Sequence, residues 1–227
     1  MTEVAEVTGL SRAAVRRLLL TLRDLGYADN HNDRWRLRPK VLELGHSWAG
    51  ARGFQNLAQS ILDRAAIQTS QSCSIATLDD LDVLFLIRAA PPRMVSIRLT
   101  IGSKLPAHAA SLGKVLLGLL PPSELEARLA KASLQKFTES TIVDVPNLLD
   151  EVAQAREQGY AVVWGEFDPQ VGSISMPIRG SGDADPLAVN ISVHTGSCPK
   201  DAFVDRYLKT LQDISSEVEA ALRTGSR

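Results

Sequence analysis

Residues 2–37 read TEVAEVTGLSRAAVRRLLLTLRDLGYADNHNDRWRL, and the rest of the chain is best read outward from this stretch. A short helix is predicted over about Glu3 to Thr8, ending at a Gly9-Leu10 turn. Ser11 then stands where an N-cap is wanted, since its hydroxyl can accept from a free amide of the next turn. The helix that follows, Arg12 to about Leu25, carries Val15, Leu18, Leu19, Leu22 and Leu25 at helical spacing, a stripe expected to be buried. Ala13, Arg16 and Arg17 fall on the opposite side, with Arg12 on a flank. A small residue beside several guanidinium groups suits a helix that enters a major groove, where Arg reads guanine edges and holds phosphates. Gly26 fits a left-handed stop. Tyr27-Ala28, a polar turn over Asp29 to Asp33, and Arg34-Trp35-Arg36-Leu37 then read as a hairpin with a basic tip, a wing beside the helix pair. The helix pair alone could be an ordinary hairpin with a solvated arginine face. The basic wing at this spacing favours nucleic acid.

Charge supports the same division. The chain of 227 residues has a net charge of −1, which hides an asymmetry. Residues 1–52 hold nine Lys/Arg against six Asp/Glu, a net +3, while the remainder holds 16 against 20, a net −4. Phosphate contact is therefore expected at the N-terminal end only. A hydrophobic content of 44% is ample for a core. Cys73 and Cys198 lie far apart without CxxC spacing, which argues for a reducing compartment and against structural zinc. His31 and His46 group with nothing into a metal site, and both cysteines read as buried hydrophobes. No apolar run reaches membrane-spanning length and no signal peptide is evident, so a cytoplasmic protein is expected.

After the wing, Pro39 can open a helix whose apolar side is Val41, Leu42, Leu44 and Trp48, interrupted by Gly50 and Gly53. A second helix is predicted from about Phe54 to Thr69, with Leu57, Ile61, Leu62, Ala65 and Ala66 on one face. Exposed apolar faces here would find a partner subunit, unless they pack back on their own domain. Strands are predicted at Cys73–Leu78 and Val83–Arg88 around an Asp79-Asp80-Leu81-Asp82 turn, the second apolar on both faces and so expected to be central. Met94 to Ile101 alternates. Helices follow over Ala109–Leu120, after Pro121-Pro122-Ser123, and over Asn147–Gln158 up to Gly159. Strands are expected at Tyr160–Trp164, Ser173–Ile178 and Leu187–His194, a polar loop at Gly180–Asp185, and a final helix over about Ala202–Leu222. Helices on a mainly antiparallel sheet make an α+β domain.

Two stretches suggest a ligand. Leu105-Pro-Ala-His-Ala-Ala-Ser-Leu-Gly-Lys114 gathers small residues at a helix start. There free amides and the positive end of the helix dipole can hold an anion, a carboxylate being the natural guest, with Ala109, Ala110, Ser111 and Gly113 keeping side chains out of its way. Those small residues could equally serve close packing of helix on sheet. In Leu187–His194, the residues Ala188, Asn190, Ser192 and His194 form a polar row opposite an apolar one, either a solvated face or the wall of a pocket. Arg88 and Arg98 could supply a cation. His108 stands at the helix start, either as a core histidine or as a ligand contact. An enzyme reading also exists: Ser111 and Lys114 form S-x-x-K, and His194-Thr-Gly196 mimics K-T-G. No S-D-N element accompanies them, and Gly113-Lys114 has neither the earlier glycine nor the Ser/Thr of a phosphate loop. No catalytic residue, cofactor or metal is expected.

The N-terminal run Ala5, Thr8-Gly9-Leu10-Ser11, Arg17 to Leu22, Leu25-Gly26-Tyr27 and Leu37-Arg38-Pro39 to Gly45, with Gly102 to Leu117, resembles the IclR family of bacterial transcription regulators over nearly the whole chain. Arg93–Leu105 and Leu187–Val193 look most like its subgroup for aromatic-acid and β-ketoadipate catabolism. The resemblance implies a winged helix-turn-helix over 1–38, a linker helix over 39–53 and a GAF-like effector-binding domain over 54–227. It also implies a homodimer or dimer of dimers that binds operator DNA through Ser11, Arg12, Ala13, Arg16, Arg17, Arg34 and Arg36, and responds to a small aromatic or β-keto carboxylate. The positions matching Ser111, Leu112, Ser173, Asn190 and Ser192 line the family's effector pocket. Three departures stand out. Family members carry a further helix before the position of Thr2, so either the start is placed too late or the reading head is incomplete, with a sensor module that has lost DNA binding as the alternative. The subgroup's usual Arg is here Gly172. A family acidic pocket position falls on Val163, leaving Glu166 as the nearest carboxylate.

Overall fold

The computed structural model describes residues 1–32, 34–48, 52–91, 99–179 and 185–225. Contacts divide them into two units, Met1–Arg52 and Gly53–Arg227.

In the first unit, α1 (Thr2–Thr8) ends on Gly9 in the left-handed region and α2 (Arg12–Asp24) begins after Ser11, whose Oγ accepts from the Ala14 amide at 3.2 Å. At the other end the Gly26 amide bonds Arg23 O and the Tyr27 amide bonds Leu22 O, with Gly26 at φ 83°. This paired closure takes up two orphan carbonyls and needs the residue without a Cβ. Lys40 Nζ reaches a third, Leu25 O, at 3.0 Å, and lies 5.1 Å from the centre of the Tyr27 ring. The wing is tighter than expected. Asp29, Asn30 and His31 are not turn residues but belong to β1 (Ala28–His31), paired with β2 (Arg34–Leu37), and Asn32, at φ 51°, lies in the connection between them. Of the expected apolar stripe only Val15 is buried; Leu18, Leu22 and Leu25 are 54%, 37% and 54% exposed. Periodicity marks a face as apolar without saying what covers it, and among the described residues of this unit nothing does. Pro39 lies in the turn before α3 (Val41–Trp48).

The second unit is a six-stranded antiparallel sheet with helices on both faces. Its strands are β3 (Ser72–Asp79), β4 (Asp82–Ala89), β5 (Lys104–Pro106), β6 (Ala161–Trp164), β7 (Val171–Ile178) and β8 (Leu187–His194), in the order β5-β4-β3-β8-β7-β6. α4 (Arg52–Thr69) and α8 (Lys200–Gly225) cover one face over Ile75, Ile87, Ile174, Val189 and Ile191. Gly53 lies inside α4 and does not break it. On the other face α5 (Ser111–Leu119), α6 (Pro122–Leu129) and α7 (Val145–Gln158) pack over Ala76, Val83, Phe85, Ala161 and Ala188. Among these helices, α7 opens with Asp144 Oδ1 capping the Asn147 amide at 3.0 Å and stops at Gly159, φ 82°. No described helix is long and apolar enough to cross a membrane.

β4 is not at the centre of the sheet, having only the three-residue β5 outside it. It is apolar in both phases for another reason. Ile75 pairs with Ile87 but Ala76 pairs with Phe85, so Leu86 is an extra residue on β4. Such a bulge shifts the alternation by one. Val83 and Phe85 therefore join the core under α5, while Ile87 and Ala89 join the core under α4 and α8. The alternation expected over Met94–Ile101, and Arg98 with it, falls mostly outside the described residues, as does most of the Gly180–Asp185 loop.

Candidate functional site

On the α5 side of the sheet, three adjacent strands in the order β3, β8 and β7 align polar side chains. Ser74 is opposite Asn190, Asn190 opposite Ser175, and Ser192 opposite both Ser72 and Ser173. These residues occupy alternate positions whose neighbours Cys73, Ile75, Ile174, Val189 and Ile191 are fully buried against α4 and α8. The polar row predicted for β8 is therefore one line of a wider polar floor. Its last member differs, since His194 is exposed and accepts from the Gly196 amide through Nδ1 at 3.1 Å.

The start of α5 stands over that floor. Its N-cap position, Ala110, has no side chain to satisfy the first-turn amides. Ser111 Oγ is buried and lies 2.7 Å from Ser173 Oγ and 2.6 Å from Ser175 Oγ. Three hydroxyls bring three protons and two bonds use two, so one proton is left over. Between helix and floor is a cavity of about 60 Å³. Its polar lining is Ser111, Ser173, Asn190, Ser192 and Asp168, and its apolar lining includes Phe85, Leu99, Leu105, Leu112, Val163 and Phe167. Asn190 Nδ2 donates to Ser192 Oγ at 2.8 Å, and its Oδ1 is buried without a partner.

The loop after β6 forms one wall and is pinned from behind. Thr138 Oγ1 donates to Gly165 O and Thr141 Oγ1 to Glu166 O, both at 2.6 Å. Phe167 is backed by Phe137 at a centroid distance of 4.9 Å, and Phe137 by His108 at 5.9 Å. Glu166 lies in the same loop but turns away from the cavity, its Oε1 accepting from Lys114 Nζ at 2.7 Å. Lys114 is fully buried and also reaches Glu151 Oε2 at 3.1 Å. Burial pushes the Glu166 carboxyl above its ordinary value, and the Lys114 charge opposes this only in part.

Six of the ten residues expected at an effector site, Ser111, Leu112, Val163, Ser173, Asn190 and Ser192, line this one cavity. The other four do not. Gly113 faces the Ala107 backbone, where an added Cβ would stand 2.0 Å from the carbonyl oxygen, so its place is set by packing. His108 Nε2 sits 2.9 Å from Gln135 O. Arg88 donates to Ser74 Oγ at 3.1 Å and Ser72 Oγ at 3.3 Å, and burial depresses its pKa. Glu166 is paired with Lys114. Gly172 is explained as well, since an added Cβ there would come within 2.3 Å of the Trp164 ring, on the α8 side of the sheet. A side chain at 172 therefore points away from the cavity. Phe167 and Asp168 carried no sequence signal, because a loop shows no period to read; Val171 opens β7, two residues before the predicted strand start.

In the first unit Arg12, Ala13, Arg16 and Arg17 are all exposed on α2, with Ser11 at its cap. Arg34 and Arg36 are exposed on β2, and Arg36 forms an ion pair with Asp29 across the wing at 3.1 Å.

Residues 1–31 match the IclR helix-turn-helix domain, and residues 49–220 match the C-terminal domain of the bacterial transcriptional regulator IclR. The chain belongs to the IclR family of transcription regulators. It is similar to the Pca regulon regulatory protein of Pseudomonas putida, 34% identical over 96% of this chain and 75% of that protein. A transcriptional regulator from Rhodococcus sp. RHA1 has a solved structure 34% identical to this chain, with a TM-score of 0.74 over 100% of this chain and 90% of the other. The inducer-binding domain of the PobR transcription factor from Acinetobacter, a double mutant in complex with 3-hydroxybenzoic acid, is 28% identical at a TM-score of 0.67, covering 73% of this chain and 97% of that domain. These relatives are regulators and not enzymes, which sets the acyl-transfer reading aside. The geometry gives it no support either, for Lys114 Nζ is committed to two carboxylates and Ser111 Oγ to two serines.

Proposed function

We propose that this regulator binds operator DNA through Arg12, Arg16 and Arg17 of α2, with Arg34 and Arg36 on the flanking phosphates. The same chain takes an aromatic carboxylate as effector in the cavity at the start of α5. The observation that carries the effector half is the uncapped α5 start facing a cavity that also holds Ser111 and Ser173. Free first-turn amides, the helix dipole and one spare serine proton make a site for an anion without a dedicated cation. The phenylalanine and leucine walls suit a ring. The kinship with a regulator whose domain holds 3-hydroxybenzoic acid supports the same class of guest. At about 60 Å³ the cavity is tight, so a ring requires it to widen on binding. Ordinary IclR-type operation follows: a cytoplasmic homodimer or dimer of dimers whose two reading heads change spacing when the effector binds.

The test is thermal unfolding against benzoate, hydroxybenzoates and aliphatic keto acids, repeated with Ser111→Trp. At 100 times Kd a ligand should stabilise the protein by about 2.7 kcal/mol. Ser111→Trp should abolish that shift and leave operator binding intact. A shift that survives in Ser111→Trp would place the effector elsewhere.

A further inference from the structure

The cavity must widen before a ring can enter, and its walls differ in what holds them. Val163, Ser173, Asn190 and Ser192 stand in the sheet, and Ser111 and Leu112 on a helix buried along nearly its whole length. Phe167 and Asp168 stand instead in the loop between β6 and β7. The ends of that loop are anchored, the Gly165 amide donating to Val171 O at 2.9 Å and the Thr195 amide to Gln170 O at 2.8 Å. Behind it, Thr138, Thr141 and Phe137 fasten it to residues 130–144, a stretch that contains no helix or strand either. The two can therefore shift as one body. The middle of the loop is tied to the frame by Glu166, whose Oε1 accepts from Lys114 Nζ of α5 at 2.7 Å.

Lys114 stands between two carboxylates on different elements. Glu151 on α7 accepts from the same nitrogen at 3.1 Å, and its side chain is 42% exposed. Breaking a buried ion pair ordinarily costs too much for a moving part, because it strands a charge. Here a lifted loop would leave Lys114 with Glu151, so no cation is stranded. Glu166 would gain, since its Oε2 is buried without a partner in the closed loop and would meet water in the open one. We propose that the β6–β7 loop is the door of the cavity and that Lys114 and Glu166 are its latch, with Glu151 holding the lysine while the door is open. This rests on the cavity being the effector site and adds how the effector gains entry. Glu166 is then a positioning residue, which touches no ligand and sets how often the wall opens.

A thiol placed in the cavity reads the opening directly. Val163 lines the cavity and is 4% exposed, cysteine is close to it in size, and Cys73 and Cys198 are buried outside the lining. The rate at which methyl methanethiosulfonate labels Val163→Cys, with the unaltered protein as blank, is compared with the rate after adding Glu166→Gln or Glu151→Gln. Glu166→Gln should speed labelling about ten-fold or more, because it loosens a charge-assisted hydrogen bond that holds the loop shut. Glu151→Gln should slow it, because an open loop would then leave Lys114 without a carboxylate. Opposite signs separate a latch from plain structural support, for which both substitutions would speed labelling through lost stability. Both rates raised alike would overturn the proposal. Neither rate changed would also overturn it and put the entrance elsewhere in the lining. If Glu166→Gln does not fold, as judged by its melting curve, Glu151→Gln decides alone: slower labelling supports the latch, and an unchanged or faster rate overturns it. No ligand is added, so failure here is distinct from failure of the carboxylate reading, which the melting test decides.

Discussion

A lysine with no exposed surface is held at a cost that only its partners offset. Lys114 meets Glu166 deep in the fold and Glu151 at its edge, and one oxygen of Glu166, Oε2, is buried without a partner. Removing one member of such a pair leaves the other charged and stranded, which typically costs about 3–5 kcal/mol. Lys114→Met should therefore destabilise the protein strongly near neutral pH. The pH dependence has a definite sign. The folded-state value of Glu166 is raised, so the folded protein holds that proton more tightly than the unfolded chain does. The corresponding stability is fully present below the unfolded value and is lost as pH rises through the folded one. Without Lys114 to pull the value down, that loss should extend to higher pH. Urea unfolding of Lys114→Met from pH 5 to pH 8 should show a deficit that shrinks on acidification; a deficit independent of pH would exclude a stranded Glu166 as its cause. The sequence displayed Lys114 only as part of Gly-Lys and S-x-x-K patterns. Nothing in a linear pattern says that a lysine is buried, so its true partner was out of sight while Glu166 was read as a pocket acid.

Helix α2 shows what an element can tell in advance. Ser11, Gly26 and the arginine face are local features, set by dihedral preference and by which side chains stand three or four residues apart, and they are legible without the fold. The covering of Leu18, Leu22 and Leu25 is not local, and these side chains are exposed where periodicity predicts a buried stripe. Arg16 lies on the exposed face, so Arg16→Ala should leave the melting temperature nearly unchanged. In operator binding it should cost about 1–3 kcal/mol if it reads a base, or mainly flatten the salt dependence if it holds a phosphate. Titration of labelled operator at several salt concentrations separates the two, and an unchanged affinity at every salt would take Arg16 out of the interface. The start of α5 stands between these cases. Its small residues serve both roles: Gly113 packs on Ala107, while Ser111 and Leu112, two and one positions earlier, face the cavity.

Across the whole molecule, the cavity draws its lining from strands, helix and loop far apart in sequence. Alternation in β8 disclosed Asn190 and Ser192, and Ser173 followed from kinship, because strand period survives in the sequence. Phe167 and Asp168 come from a loop and became visible only when Thr138, Thr141 and Phe137 were seen to hold it. If an effector acts on operator affinity, the two events must be linked in both directions with one coupling energy, typically about 1–3 kcal/mol. A saturating aromatic acid should change operator affinity by that amount, and saturating operator should change the affinity for that acid by the same factor. Coupling absent in both directions would mean a sensor that does not speak to its reading head.

The extra residue in β4 works like a frameshift. Before Leu86 the strand is written in one phase and after it in the other, and the bulge restores agreement between side chains and faces. Without that shift, regular pairing would turn Arg88 towards α4 and α8 and lift Ile87 and Ala89 onto the polar floor. Deleting Leu86 alone, by contrast, would put the strand back in frame, with every other side chain still on its present face. The sheet should therefore tolerate a one-residue deletion at position 86 far better than at position 75, and homologous chains of differing length can differ here without losing the pocket.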